Sequence, residues 1–387
     1  MTPPRGRRLP VGAEPVAGGV DFRVWAPLAK AVAVAVDGGS DTELPAEGGG
    51  WFGGVVADMA AGQRYRFRLD DRGPFPDPAS RFQPEGPHGP SQVVDPGAYT
   101  WHDGDWGGAG IDGQVLYELH VGTFTPEGTF AAAAAQMPRL AELGIGVVEL
   151  MPVAEFPGRF GWGYDGVDLF APSHLYGSPD ELRALVDAAH GVGIGVILDV
   201  VYNHLGPDGN YLRCFATDYF TDRYETEWGE AVDFDGPRSG PVRAFFVANA
   251  RYWTQEFHFD GLRLDATQCI YDASPVHVIS EIALAVRDAG GGRATLVVGE
   301  NEPQHAELVR DLGLDALWND DFHHSATVAA TGRNEAYYGD HLGAPQELVS
   351  AARHGTLFQG QLYSWQGMRR GSPALDLPPK AFVAYLQ

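Results

Sequence analysis

"GVILDVVYNH" fills residues 195–204. It is apolar almost throughout and then ends on Asn203 and His204. A strand with apolar residues on both faces is covered on both sides, as strands of parallel sheets are. Just upstream, "SPDELRALVDAAHGVG" (178–193) has the signals of a helix. Ser178 can cap it, Pro179 takes the first helical position, and Glu181 completes a capping box. Leu182, Leu185, Val186 and Ala189 form its apolar stripe, and Gly191 or Gly193 ends it. A helix feeding a buried strand that stops on polar residues is one β/α unit.

The same unit recurs in both directions. Towards the N-terminus lie the strands "IGVVELMPV" (145–153) and "VLYELHV" (115–121), with a helix expected over 129–143, interrupted at Pro138. Towards the C-terminus, a long loop runs to about 240. A helix over 241–257 follows, with Val242, Phe245, Phe246, Trp253 and Phe257 on one side. The strands "GLRLDA" (261–266), "TLVVGEN" (295–301), "LDALWND" (314–320) and "AFVAYLQ" (381–387) complete the series, with the helix "SPVHVISEIALAV" (274–286) between the first two. Seven parallel-type strands ending on polar residues predict an α/β fold, a (β/α)8 TIM-type barrel that is incomplete. Active sites of that fold sit at the carboxyl ends of the strands. An open doubly wound sheet is the alternative, but it would carry a glycine-rich phosphate loop after its first strand, and "HVGTFTPEGTF" is not one. Residues 1–100 read as a small all-β sandwich: "VDFRVWAPLAKAVAVAVDGG" and "WFGGVVADMAAGQRYRFRLDDRG" alternate and turn, with Tyr65, Phe67 and Leu69 on one face. The glycine-rich "DPGAYTWHDGDWGGAGIDG" (95–113) reads as the linker, with the barrel over 114–387.

Bulk properties narrow the function. The chain has 387 residues, 44% of them hydrophobic, and a formal net charge of −24. So acidic a surface argues against a nucleic-acid partner, whose phosphates need basic groups. Two cysteines, Cys214 and Cys269, supply neither a disulfide framework nor a metal cluster. The N-terminus lacks the apolar stretch of a signal peptide, and no apolar run is long enough for a membrane span. A cytoplasmic enzyme is expected.

The chemistry concentrates on two strands. Arg263 and Asp265 are two apart and share a face. An arginine beside an aspartate keeps the carboxylate ionised, as a nucleophile requires. Glu300 follows the apolar "LVVG", where a glutamate can have a raised pKa and serve as proton donor. An ionised aspartate opposite a protonatable glutamate is the equipment of retaining glycoside hydrolysis. The competing reading is an internal ion pair with Glu300 as a helix cap.

"DVVYNH" (199–204), "GLRLDATQ" (261–268) and "GEN" (299–301) resemble the first three sequence blocks of the α-amylase superfamily, glycoside hydrolase family 13. The N-terminal part is similar to the β-sandwich, a carbohydrate-binding-module-like domain, that precedes the barrel in branching, debranching and trehalose-forming members. "MPVAEFPG", "YNHLGPDGNYL", "VDFDGP", "ENEPQ" and "WNDDFHHS" resemble most the trehalose-releasing hydrolases of the family. The resemblance implies cleavage of the α-1,4 bond next to a terminal trehalose unit of maltooligosyltrehalose, with no cofactor. Asp265 would be the nucleophile, Glu300 the general acid/base, and Arg263 the group that orients Asp265. Asp199 would support Arg263, His204 would hydrogen-bond the reacting sugar, and Tyr164 would stack under it. Asp165 would bind substrate or hold its turn. Trp162, Trp228, Trp318 and His323 are expected on strand-end loops, as candidates for further sugar subsites. Asp320 and Asp321 could hold sugar hydroxyls, with at least one expected in solvent. The pair His323 and His324 lacks a third ligand, so no metal site is expected. A glucan branching enzyme and a catalytically impaired glucan-binding protein are the alternatives.

The family's fourth block, typically Asn-His-Asp-Gln, starts at the end of the seventh strand, where this sequence stops at Gln387. The expectation is therefore a chain without that block's aspartate, without an eighth strand and without the family's C-terminal β-domain. Such a chain should hydrolyse maltooligosyltrehalose only weakly and carry an unpaired sheet edge.

Overall fold

The computed structural model describes residues 6–386. Seven parallel strands form one curled sheet: β1 (Leu116–Leu119), β2 (Val147–Leu150), β3 (Gly195–Val200), β4 (Gly261–Leu264), β5 (Leu296–Gly299), β6 (Ala316–Trp318) and β7 (Phe382–Val383), in that spatial order. Among the described residues β7 pairs only with β6 and β1 only with β2, so the curl is open between β7 and β1. Every strand is shorter than its apolar run in the sequence. Asp265, Glu300, Asn203 and His204 thus lie just past their strands. Gln387, the last residue of the expected seventh strand, lies outside the described residues.

Strand alternation sorts the sheet into two apolar layers. Val148, Leu150, Val196, Leu198, Leu262, Leu264 and Val297 face outward into the core shared with the helices. Val147, Ile197, Leu296, Val298, Ala316 and Trp318 face the inside of the curl. Leu198 and Leu262 are fully buried, and truncating such a residue to alanine costs about 2–5 kcal/mol. Gly261 allows β4 to sit against β5, since a Cβ there would fall 1.7 Å from the Leu296 carbonyl oxygen.

The helix α1 (Pro179–Gly191) has the expected capping box: the Ser178 hydroxyl accepts from the Glu181 amide, and Glu181 accepts from the Ser178 amide. Helices α2 (Gly240–Glu256) and α3 (Val278–Ala289) pack against one another behind β3 to β5. The helix expected over 129–143 is instead two short ones, Phe130–Ala134 and Met137–Glu142; Pro138 starts the second because it cannot continue the first. The long loop before α2 contains a hairpin, Phe220–Thr226 with Gly229–Val232. After β6 come two helices not read from the sequence, α4 (Asp320–Thr331) and α5 (Pro345–His354), then a hairpin of Gln361–Tyr363 and Met368–Arg370.

The N-terminal sandwich has two antiparallel sheets. One orders Gly12–Val16, Gly19–Trp25, Trp51–Ala57 and Ala46–Gly48; the other is built on Val32–Val36 and Arg64–Leu69. Tyr65, Phe67 and Leu69 fill the space between them with no exposure. Trp25, Trp51, Leu9 and Val11 join the barrel core instead, with Trp25 edge-on to Tyr219 at 5.6 Å.

Segment 95–113, read above as a linker, is docked under the curl. Trp106 Nε1 donates to Asp260 at 2.7 Å, Ala109 is buried inside the sheet, and Gly108 pairs with Ala294. Trp101 stacks on His258 at 3.7 Å. Its glycines allow this close approach: a Cβ on Gly108 would lie 2.1 Å from the Ala294 carbonyl oxygen.

Candidate active site

The polar strand ends converge on one cleft of about 590 Å³ at the carboxyl edge of the sheet. Its floor is Arg263, projecting inward from β4. The Nη1 group of Arg263 donates to Asp199 at 2.9 and 3.0 Å and to Asp265 at 2.7 Å. Its Nη2 lies 3.5 Å from Glu300. One guanidinium therefore touches both carboxyls of the expected reacting pair. Burial disfavours its charge, yet Asp199, Glu300 and Asp265 outweigh that and hold its pKa well above the ordinary value.

Asp265 and Glu300 differ in their donors. Asp265 accepts from Arg263 and from Asn203 Nδ2, the latter at 2.9 Å. Asn203 lies just past β3, four residues after Asp199, and its period-two placement in "DVVYNH" is the signal that could have assigned it this role. Glu300 is more open, with 31% of its side chain exposed. Burial raises its pKa against the pull of Arg263, and the negative charge of Asp265 and a hydrogen bond with it push the same way. Ala266 follows Asp265 in the left-handed region at φ 39°, an uncommon conformation for a residue with a Cβ. This turn aims the Ala266 amide at Glu300 Oε2, 2.8 Å away.

Asp199 is fully buried beneath the pair. Burial pushes its pKa up to about 7, although Arg263 and the Tyr164 hydroxyl, which donates to it at 3.0 Å, oppose the shift. Tyr164 lines the cleft. His204 lines it too, but its ring nitrogens face the protein: Nδ1 meets Asn203 Oδ1, and Nε2 lies 3.0 Å from the Tyr164 carbonyl oxygen. The ring stacks on Trp228 at 4.7 Å, and burial lowers its pKa. Sequence reasoning gave His204 a hydrogen bond to sugar; here both ring nitrogens lie near protein oxygens, of which a neutral ring can donate to one. Asp165 is exposed and does not line the cleft. Its carbonyl backs onto Gly206, which favours the turn reading.

The aromatic residues surround the opening. Trp162 and Trp228 are 73% and 48% exposed and border the cleft. Trp318, expected on a loop, is the last residue of β6 and is buried. His323 stacks face to face with Tyr385 at 4.7 Å.

Asp320 and Asp321 correct the sequence reading: neither is solvated. They open α4 and are both buried. Asp321 accepts from Arg370 Nε at 3.0 Å and from the amides of Leu357 and Phe358. Asp320 accepts from the Tyr385 hydroxyl at 3.0 Å and lies 3.8 Å from Arg370; burial pushes its pKa up to about 7. Arg370 comes from the hairpin 49 residues beyond Asp321. Nothing local in "NDDFHH" announces that partner, so at least one of the two was expected in solvent. Glu118, Gln268, Glu302, Tyr337 and Tyr385 also border the cleft without having been singled out. Among the described residues no cluster of histidine, cysteine and acidic side chains could hold a metal ion, and no helix is long and apolar enough to cross a membrane.

A buried arginine between two carboxyls, at the carboxyl edge of a curled parallel sheet behind a β-sandwich, is the arrangement of an α-amylase-type catalytic domain. Residues 99–229 match the model of the α-amylase catalytic domain, and residues 10–96 match carbohydrate-binding module 48, the isoamylase N-terminal domain. Both matches fall on the parts of the chain that form the curled sheet's first half and the sandwich, so the chain resembles the α-amylase family in both domains. It is 44% identical to malto-oligosyltrehalose trehalohydrolase of Deinococcus radiodurans over 98% of this chain and 63% of that protein. It is 39% identical to the enzyme of the same name from Saccharolobus solfataricus, over 95% of this chain and 65% of that protein. The chain thus spans a little under two thirds of these relatives. A solved structure from Salmonella typhimurium superposes with a TM-score of 0.92 at 43% identity, covering 97% of this chain and 65% of that one. A pullulanase from Anoxybacillus sp. LM18-11 complexed with maltotriose shares the fold, with a TM-score of 0.72 at 20% identity over 89% of this chain and 57% of that one.

Proposed function

We propose that this chain carries the catalytic site of a retaining α-glucan hydrolase that cuts the α-1,4 bond next to the terminal trehalose of maltooligosyltrehalose. The single observation behind this is Arg263, bonded to Asp265 and in contact with Glu300 at the floor of an aromatic-lined cleft. The trehalohydrolase relatives support the substrate.

Asp265, oriented by its bonds from Arg263 and Asn203, attacks the anomeric carbon of the glucose at the scissile bond as its carboxylate. Glu300 gives its proton to the glycosidic oxygen, and trehalose leaves with that proton. The maltooligosaccharide is then esterified to Asp265. Glu300, now an anion, takes a proton from water as the water oxygen bonds to the anomeric carbon; the ester breaks and Asp265 returns. The raised pKa of Glu300 suits the first step; esterification removes the Asp265 charge that helps to raise it, which suits Glu300 to act as the base of the second. Arg263 steadies both carboxyls, Asp199 fixes Arg263, and Tyr164 and Trp228 offer aromatic faces to the sugar.

The test has two readouts on this chain. Trehalose release from maltooligosyltrehalose should be measurable and should vanish in Asp265→Asn. A 5-fluoroglucosyl fluoride should leave its sugar on the peptide carrying Asp265, seen by mass spectrometry. Release that survives Asp265→Asn, or a label on another residue, overturns the reading. Transfer of glucan onto amylose, followed by iodine staining, would point to a branching activity instead.

A further inference from the structure

We propose that Glu149 is a positioning residue for this reaction: a neutral carboxylic acid that seats the Nε edge of Arg263 and leaves the arginine's charge to Asp199, Asp265 and Glu300. This rests on the reading of Asp265 and Glu300 as the reacting pair.

Glu149 lies on β2, two residues from Val147, and so points into the curl under the site. Its side chain has no exposure. Neither carboxyl oxygen has a hydrogen-bond partner, and neither does Arg263 Nε, which faces Glu149 Oε1 at 3.9 Å. The guanidinium is thus surrounded by four carboxyls, from β2, β3, the turn after β4 and the end of β5. Three of them have donors. Asp265 has Asn203 and Arg263, Asp199 has Arg263 and Tyr164, and Glu300 has the Ala266 amide. Glu149 has none. An ionised carboxylate without a donor, fully out of water, is the most costly of the four, so Glu149 is the one that keeps its proton whether or not Glu300 carries its own. The titratable groups facing it agree: burial acts first, and Asp199, Glu118 and Glu300 add to it, with Arg263 alone opposing. An ionised Glu149 would draw Arg263 down and away from Asp265. A neutral one fills the space and presents a carbonyl oxygen to Nε.

Glu149→Gln keeps shape and neutrality; Glu149→Leu keeps bulk and removes the polar group. The first readout is unfolding by denaturant between pH 4 and 7, independent of activity. A carboxyl kept neutral by the fold has its pKa raised above the unfolded value, so its stability is full at pH 4 and erodes as the pH rises. The unfolding constant of wild type relative to Glu149→Gln should therefore grow by at least about tenfold across that range. A flat or falling ratio overturns the proposal, because Glu149 would then be an anion in the folded chain. The second readout is the rate of glycosyl trapping at Asp265. Glu149→Gln should stay near wild type with an unchanged pH profile, while Glu149→Leu slows trapping about tenfold or more at unchanged sugar affinity. Equal rates for Leu and wild type, or a Gln variant as slow as Leu, overturn it. If wild type itself traps nothing, the reaction assigned to the site fails, while the unfolding ratio still decides the protonation of Glu149.

Discussion

The same sheet buries charged groups at both ends, and the two ends are built differently. Under the amino edge, His190 sits between Asp103 at 2.9 Å and Asp260 at 3.0 Å, and His258 shares Asp103 at 2.8 Å. Asp260 also accepts from Trp106 and from the Val196 amide, and Trp106 stacks on His190 at 4.8 Å. Each of these groups has a protein partner and none lines the cleft. At the carboxyl edge, Arg263 is shared among several carboxyls, burial raises the pKa of Asp199 and of Glu300, and the cluster forms the floor of a cleft. Closed networks fasten a fold; open ones leave bonding capacity for a substrate. The lower cluster ties the segment between sandwich and barrel to the sheet, and the upper one is poised for chemistry.

If that contrast is right, substitutions should separate activity from stability. Asp265→Asn should cut trehalose release by at least about a thousandfold, since a reacting group is lost, with little change in the melting temperature. Asp260→Ala should do the reverse. It leaves the Val196 amide, the Trp106 indole and His190 without their shared acceptor, which costs about 3–5 kcal/mol, while the folded fraction keeps its specific activity. Paired activity assays and thermal melts would reveal a false contrast as equal damage in both columns.

Glu300→Gln sharpens the upper end further. With maltooligosyltrehalose it should lose about a hundredfold or more, the size of a general-acid contribution. With an α-glycosyl fluoride, whose leaving group needs no proton, bond cleavage should recover much of that loss. For the unsubstituted chain, kcat/KM should fall on the alkaline side as Glu300 gives up its proton. That limb should lie above the ordinary glutamate range, because burial and the Asp265 charge raise the pKa.

The lower end should respond to acid through stability. Burial lowers the pKa of His258 despite the bond to Asp103, so the unfolded chain takes up that proton first as pH falls below about 6.5. Asp103 is buried too, but its hydrogen bonds from His258 and His190 win and lower its pKa. Its contribution holds above the unfolded value and is lost as pH drops through the folded one. Stability should decline in two stages, and Asp103→Asn should flatten the more acidic one in pH-dependent melts.

The two ends also differ in how far they could be read from the sequence. Asp199, Arg263, Asp265 and Glu300 stand in three short runs whose alternation suggests a common face, so most of the floor of the cleft was legible, while the bond from Asn203 to Asp265 was not read. The lower cluster was not. It joins Asp103, His190, His258 and Asp260 across more than 150 residues, and its anchor hides in glycine-rich sequence that resembles a linker. Glu149 was missed for another reason: it stands within an apolar run, and only the inward face of β2 reveals what it meets. Asp320 and Asp321 misled because their arginine lies in a distant hairpin.

The finest test bears on that last pair. Asp320 has its pKa pushed up to about 7, mainly by burial, with Arg370 and the Tyr385 hydroxyl pulling it down. Tyr385→Phe removes a hydrogen bond made to the charged form, worth about 1–2 kcal/mol. The ring remains stacked on His323, so the cleft wall keeps its shape. The carboxyl should then titrate at higher pH, which carbon NMR of the aspartate side chains would record. Because a raised folded pKa means stability lost as pH rises, the variant should lose more stability than wild type between pH 7 and 8 and match it more closely near pH 5. Activity should change only a few fold, since neither group touches the reacting pair. A large loss of trehalose release with an unmoved Asp320 would instead place Tyr385 against the substrate, extending the chemical end of the sheet to β7.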